Sequence, residues 1–118
     1  MKYLCLVYYK ESEIGAMSPE AWDALNAECI SYGEAITRSG HRLGGEALEP
    51  THTATTVRVR NGHVSATDGP FAETKEQLAG FYYIEAKDLD AAIDVASRIP
   101  PARLGSIEIR PVRSLIRK

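Results

Sequence analysis

The sequence predicts a single α+β domain whose sheet is apolar on both faces. Three observations carry this. Two strand-like runs, Lys2–Tyr9 (KYLCLVYY) and Leu78–Ala86 (LAGFYYIEA), are apolar at both alternate sets of positions, the pattern of strands covered on both sides. Two segments carry helical spacing. A chain of 118 residues has room for one domain and a core that needs no staples.

The elements follow in order. Lys2–Tyr9 is the first strand, rich in β-formers. Ser18-Pro19-Glu20 starts a helix: Ser18 caps, Pro19 suits the first turn and Glu20 faces the positive end of the dipole. Trp22, Leu25, Cys29, Tyr32 and Ile36 recur at helical spacing and read as a core stripe, and Gly40 stops the helix. His41–Leu48 is a second strand, weakened by Gly44 and Gly45, which mark a bend or a close backbone approach. Thr53–Arg60 and His63–Thr67 form a hairpin around Asn61-Gly62. Asp68-Gly69-Pro70-Phe71 breaks the pattern before the Leu78–Ala86 strand. Asp88 caps a second helix that ends at Pro100-Pro101, and Ser106–Val112 is the last strand. Residues 1–112 make the domain and 113–118 a short basic tail.

The order is β-α-β-(β-β)-β-α-β. Without the inner hairpin it is the split β-α-β arrangement of ferredoxin-like folds, βαββαβ. Two helices cover one face of such a sheet. The other face is also apolar in the first and fifth strands, so a second copy of the chain is expected to cover it, as a homodimer. Two pairings of the hairpin fit the sequence. In one, the second strand pairs with the third, which sets Glu46, Thr55 and Asp68 in a row. In the other, the second strand pairs with the fifth and the hairpin is an insertion. Both bring Glu46 close to the Asp68 turn.

Composition narrows the function classes. The chain is 44% hydrophobic and 25% charged, with a net charge of −2 and a pI of about 5.9. No global field draws phosphate backbones or anionic lipid, so neither nucleic acid nor a membrane is expected as a partner. No apolar stretch approaches the ~20 residues of a span. The opening apolar run ends too early for a signal peptide, which places the protein in the cytoplasm. Cys5 and Cys29 read as buried free thiols.

Chemistry-bearing motifs are few. No nucleophile elbow, phosphate loop or dinucleotide fingerprint is present, so no cofactor is expected. His52 and His63 fall at opposite ends of one hairpin, roughly 25 Å apart at ~3.3 Å per residue, and His41 lacks a companion ligand, so no metal is expected. Arg58 and Arg60 share one face of the third strand, either solvated or positioned for an anion. The Asp68 turn is the richest segment. Asp68 can accept bonds from its own turn, Pro70 stiffens the exit and Phe71 can plug an apolar gap. The bland reading is a rigid turn with an aromatic anchor. The sharper one adds Glu46, Glu73 and Lys75 as a polar cluster lining a pocket, with Asp68 the best catalytic candidate and Glu46, Arg58, Asp68, Phe71, Glu73 and Lys75 as binding candidates.

The run Thr67-Asp68-Gly69-Pro70-Phe71-Ala72-Glu73-Thr74-Lys75-Glu76 resembles the signature of the DGPF branch of the YCII-related family. The opening KYLCLVYY, Gly44-Gly45-Glu46, Ala54–Arg60 and Gly105–Val112 are similar to the branch as well. The resemblance implies a ferredoxin-like subunit that pairs through its sheet into a dimeric α+β barrel. It implies no settled reaction. A His-Asp pair proposed for the wider family has no counterpart here, because Ser18–Trp22 holds no histidine and Ile36–Gly40 no carboxylate. Two roles remain: a dimeric small-molecule-binding protein or enzyme with its pocket near the Asp68 turn, or a non-catalytic accessory protein that binds a partner such as an extracytoplasmic-function sigma factor.

Overall fold

The computed structural model describes residues 1–116; the last two residues of the basic tail lie outside them. The elements in chain order are β1 (Lys2–Tyr9), α1 (Glu11–Gly15), α2 (Pro19–Arg38), β2 (Arg42–Ala47), a 3-10 turn (Thr51–Thr53), β3 (Thr55–Arg60), β4 (His63–Asp68), β5 (Gln77–Glu85), α3 (Leu89–Ser97), a 3-10 turn (Pro100–Arg103) and β6 (Ser106–Pro111). The caps form as the sequence dictates. The Ser18 side chain accepts from the Ala21 amide at 3.1 Å and Asp88 from Ala91 at 2.9 Å. Gly40 follows α2 with φ +83°, in the left-handed region that ends helices. Among the described residues no helix is long and apolar enough to cross a membrane.

The main sheet has the order β2-β5-β1-β6, with all three pairings antiparallel. Together with α2 and α3 this is the ferredoxin-like βαββαβ topology. Tyr3, Cys5 and Val7 of β1 and Ile84 of β5 are buried under the helices against Ile36, Ala92, Val95, Ala96 and Ile99. The Tyr32 hydroxyl donates to the Val95 carbonyl at 2.6 Å and ties α2 to α3.

Among the described residues no helix packs on the other sheet face. Register places Leu4 opposite Tyr83, Leu6 opposite Phe81 and Tyr8 opposite Leu78, and all six are only half-buried. Register also separates two adjacent tyrosines. Tyr82 pairs with buried Cys5 and packs edge-on against Tyr32, so it belongs to the helix side, while Tyr83 belongs to the open face.

The hairpin corrects one of the two pairings. β3 and β4 form a separate two-stranded sheet, and the neighbour of β2 is β5. The reason lies in the connection. Pro50 and the 3-10 turn carry the chain away from β2, and Glu11 of α1 holds the turn through Thr51, whose amide and hydroxyl donate at 2.8 and 2.6 Å. Within the hairpin, Asn61 and Gly62 have φ +51° and +76°, the geometry of a type I′ turn. Thr55 pairs with Asp68 as the turn requires, but Glu46 pairs with Phe81, so the row of Glu46, Thr55 and Asp68 does not form. The sequence also gave no sign of α1, a single turn without periodic apolar positions.

Candidate functional site

A cleft of about 1090 Å³ opens between α2 and the β2–β5 side of the sheet, on the helix-covered face. Trp22, Leu25, Cys29 and Ile30 of α2 form one wall, Gly45 and Tyr82 lie on the sheet, and α1 and the segment after β2 close one end. The closure rests on the Glu11–Thr51 bonds and on the Glu11 amide, which donates to Gln77 Oε1 at 2.9 Å.

Arg42 is the cation inside this cleft. It pairs with buried Ile84, so its side chain runs on the helix side of the sheet. Its guanidinium carbon lies 5.7 Å from the centroid of the Tyr82 ring, a cation–π distance. Nη2 donates to the Gly45 carbonyl at 3.2 Å, while Nε is buried without a hydrogen-bond partner among the described residues. Two glycines shape the seat. A Cβ on Gly33 would stand 3.1 Å from Nη1, and one on Gly45 would stand 3.4 Å from Nη2 and only 2.6 Å from the Phe81 carbonyl oxygen.

The hydroxyl and thiol groups of the cleft hold their protons. Burial pushes the Tyr82 phenol up to about 12, helped by Cys29 and Tyr32 and opposed by Arg42. Burial likewise raises Cys29, with Glu28 adding to it and Arg103 opposing, and raises Tyr9. At neutral pH these are neutral hydrogen-bond donors, and Cys29 is a poor nucleophile because its thiolate is disfavoured. A cation with neutral donors around it suits a negatively charged oxygen.

Most of the residues singled out from the sequence lie elsewhere. Glu46 borders the cleft, although its pairing with Phe81 sets it in the row of the open face. Asp68, Arg58, Glu73 and Lys75 are exposed and are not among the cleft's lining residues. Phe71 is 80% exposed, so it plugs no gap within the chain. The Asp68 turn is held by its backbone: the Gly69 amide donates to the Ala54 carbonyl at 2.7 Å, and Thr56 Oγ1 donates to the Gly69 carbonyl at 2.8 Å. The helical stripe divides: Leu25 and Ile36 are buried, whereas Trp22 is 38% exposed and turns to the cleft with Cys29. Sequence reasoning missed Arg42. Its one signal was an arginine at the start of a short strand that otherwise holds one charged residue, Glu46, with glycines and apolar residues.

Among the described residues no group of three or more His, Cys, Asp or Glu side chains is placed to hold a metal ion. The thiols of Cys5 and Cys29 are both free, and burial pushes Cys5 up to about 11.

The fold and cleft define a class: an α+β subunit with a ligand-sized cavity between one helix and its antiparallel sheet. Over residues 1–116 the chain matches the YCII-related domain, and it belongs to that family. It is 40% identical over 115 residues to an uncharacterized protein of Rhizobium meliloti (strain 1021), covering 95% of this chain and 92% of the relative. Its structure is similar to 5-chloro-2-hydroxyhydroquinone dehydrochlorinase (TftG) from Burkholderia phenoliruptrix, solved in complex with 2,5-dihydroxybenzoquinone. The TM-score is 0.55 at 14% identity, over 96% of this chain and 94% of the other. At that identity the likeness speaks for the fold.

Proposed function

We propose that this YCII-related protein binds a small organic molecule, as an enzyme or a binding protein, in the cleft between α2 and the β2–β5 side of the sheet. The cleft itself carries the reading. Its volume suits a small molecule, and it joins apolar walls to a guanidinium that forms no ion pair with the described residues. The similar dehydrochlorinase acts on a small molecule and was solved with a small quinone, which supports the reading at the level of the fold. A metabolite-library thermal-shift screen tests it. Compounds that stabilise the wild type should lose their effect in Arg42→Gln and keep it in Asp68→Asn. The opposite pattern would move the site to the Asp68 turn.

The assembly proposed with it is a homodimer formed face to face through the open side of the sheet, completing a dimeric α+β barrel. Half-buried Leu4, Leu6, Phe81 and Tyr83, with no helix over them, support this. The Thr67–Glu76 run supports placement in the DGPF branch.

One observation favours a second reading, an accessory protein that docks on another protein such as an extracytoplasmic-function sigma factor. Val57, Val59 and Val64 share one face of the hairpin and are more than half exposed. An isolated two-stranded ribbon is marginal unless something packs on it. Under this reading Arg58, Asp68, Phe71, Glu73 and Lys75 are contact residues. Deleting the hairpin would then abolish partner capture and leave the thermal-shift response to small molecules intact.

A further inference from the structure

We propose that Arg42 is the anchor for a carboxylate, so that the molecule taken by the cleft is a small organic acid with an apolar body. This rests on the ligand-binding reading above and names the class of ligand. The Arg42 side chain has five N–H donors and makes one hydrogen bond to the described residues, at the Gly45 carbonyl. Its Nε is shielded by the protein and has no partner among the described residues, which costs free energy; Nη1, unbonded to the described residues and not shielded in this way, is the donor left to a ligand.

No carboxylate of the described residues neutralises it. The ion pairs among them all lie elsewhere. The acids that border the cleft are otherwise placed: Glu11 accepts two bonds from Thr51, Glu34 pairs with Arg38 at 4.0 Å, Glu46 sits in the row of the open face, and Glu49 follows the end of β2. None is within 4.0 Å of the guanidinium.

The seat is built for this side chain. Gly33 on the facing helix and Gly45 on its own strand leave the space that Nη1 and Nη2 occupy, and Tyr82 lies beneath the guanidinium. A planar fork matches a carboxylate, and the charge-assisted bonds that result are about twice as strong as neutral ones. Beside it, Trp22, Leu25 and Ile30 offer an apolar wall for the rest of the molecule. Trp22 is the sole tryptophan of the chain, so its fluorescence reports from the cleft wall.

The test is titration of full-length wild type, Arg42→Gln and Gly33→Ala with benzoate, its neutral counterpart benzamide, and the neutral apolar probe N-phenyl-1-naphthylamine, read by Trp22 quenching and by calorimetry. The proposal expects benzoate to bind the wild type at least tenfold more tightly than benzamide. Both variants should lose most of that preference while binding the neutral probe within twofold of the wild type. Gly33→Ala keeps the arginine and only crowds it, so it serves if Arg42→Gln folds poorly. Equal affinities for benzoate and benzamide in the wild type, or a preference retained in both variants, would overturn the carboxylate assignment. Binding of the neutral probe without benzoate binding would overturn the assignment and leave the cleft reading standing. Failure of all three probes would count against both.

Discussion

The guanidinium of Arg42 lies 5.7 Å above the ring of Tyr82, in a seat that two glycines keep open. The glycines differ in what they protect. Gly33 faces only the far end of a flexible side chain and sits inside α2, where alanine is favoured over glycine by about 0.5–1 kcal/mol. Gly33→Ala is therefore expected to leave stability unchanged or slightly raised. Gly45 has φ +152°, and its Cβ would meet the Phe81 backbone at 2.6 Å. Gly45→Ala should destabilise by about 1–3 kcal/mol. Urea unfolding of both variants checks the contrast; equal losses would mean that the helix side of the seat is as rigid as the strand side.

Tyr82 has a signature at high pH. In the unfolded chain it ionises near 10.0, in the folded chain at about 12. Above pH 10 the unfolded chain sheds the proton first, so stability falls as pH rises from about 10 to about 12 and is unaffected by this group below that window. Buried Cys5 acts in the same direction from 9.0 to about 11. Tyr82→Phe should flatten the upper part of the decline and leave the Cys5 part. An unchanged slope above pH 10 in urea unfolding of Tyr82→Phe would refute the desolvation of Tyr82.

The proposed dimer turns on which tyrosine faces outward. Tyr83→Asp places a charge on the open face opposite Leu4 and should shift sedimentation from twice the chain mass to the monomer at micromolar concentration. Tyr83→Asp monomers should stay folded, because the buried core lies on the other side of the sheet. A wild-type monomer at that concentration would remove the proposal.

Much of the fold was legible in the strand patterns, and the reason is local. Double-sided apolarity in Lys2–Tyr9 and Leu78–Ala86 marks the two central strands, β1 and β5, with one face buried under the helices and the other on the open side of the sheet. Ser18 and Asp88 announced both caps, and Asn61-Gly62 the hairpin turn. What was not legible depends on register. Alternation alone leaves open which of Tyr82 and Tyr83 faces the helices, since a shift of one residue exchanges the faces. The site was less legible still. The proposed role of Arg42 depends on Gly33, distant in sequence, leaving it room and on no acid among the described residues reaching it, and neither condition is written near residue 42. The Asp68 turn drew attention as a dense local motif, yet its order comes from backbone bonds through Ala54, Thr56 and Gly69.

Asp68 gives the corresponding prediction. Its side chain is exposed and makes no hydrogen bond with the described residues. Asp68→Asn should change stability by no more than about 0.5 kcal/mol and leave any small-molecule response as in the wild type. Loss of that response with the fold retained would place the site at the turn instead of the cleft.

The most direct test of the account locates the ligand. Amide and indole resonances of isotope-labelled protein, followed while the strongest stabiliser from the metabolite screen is added, should shift at Trp22, Gly33, Gly45 and Tyr82. Shifts confined to the hairpin and the turn after it, residues 55–73, with the cleft unmoved, would contradict it.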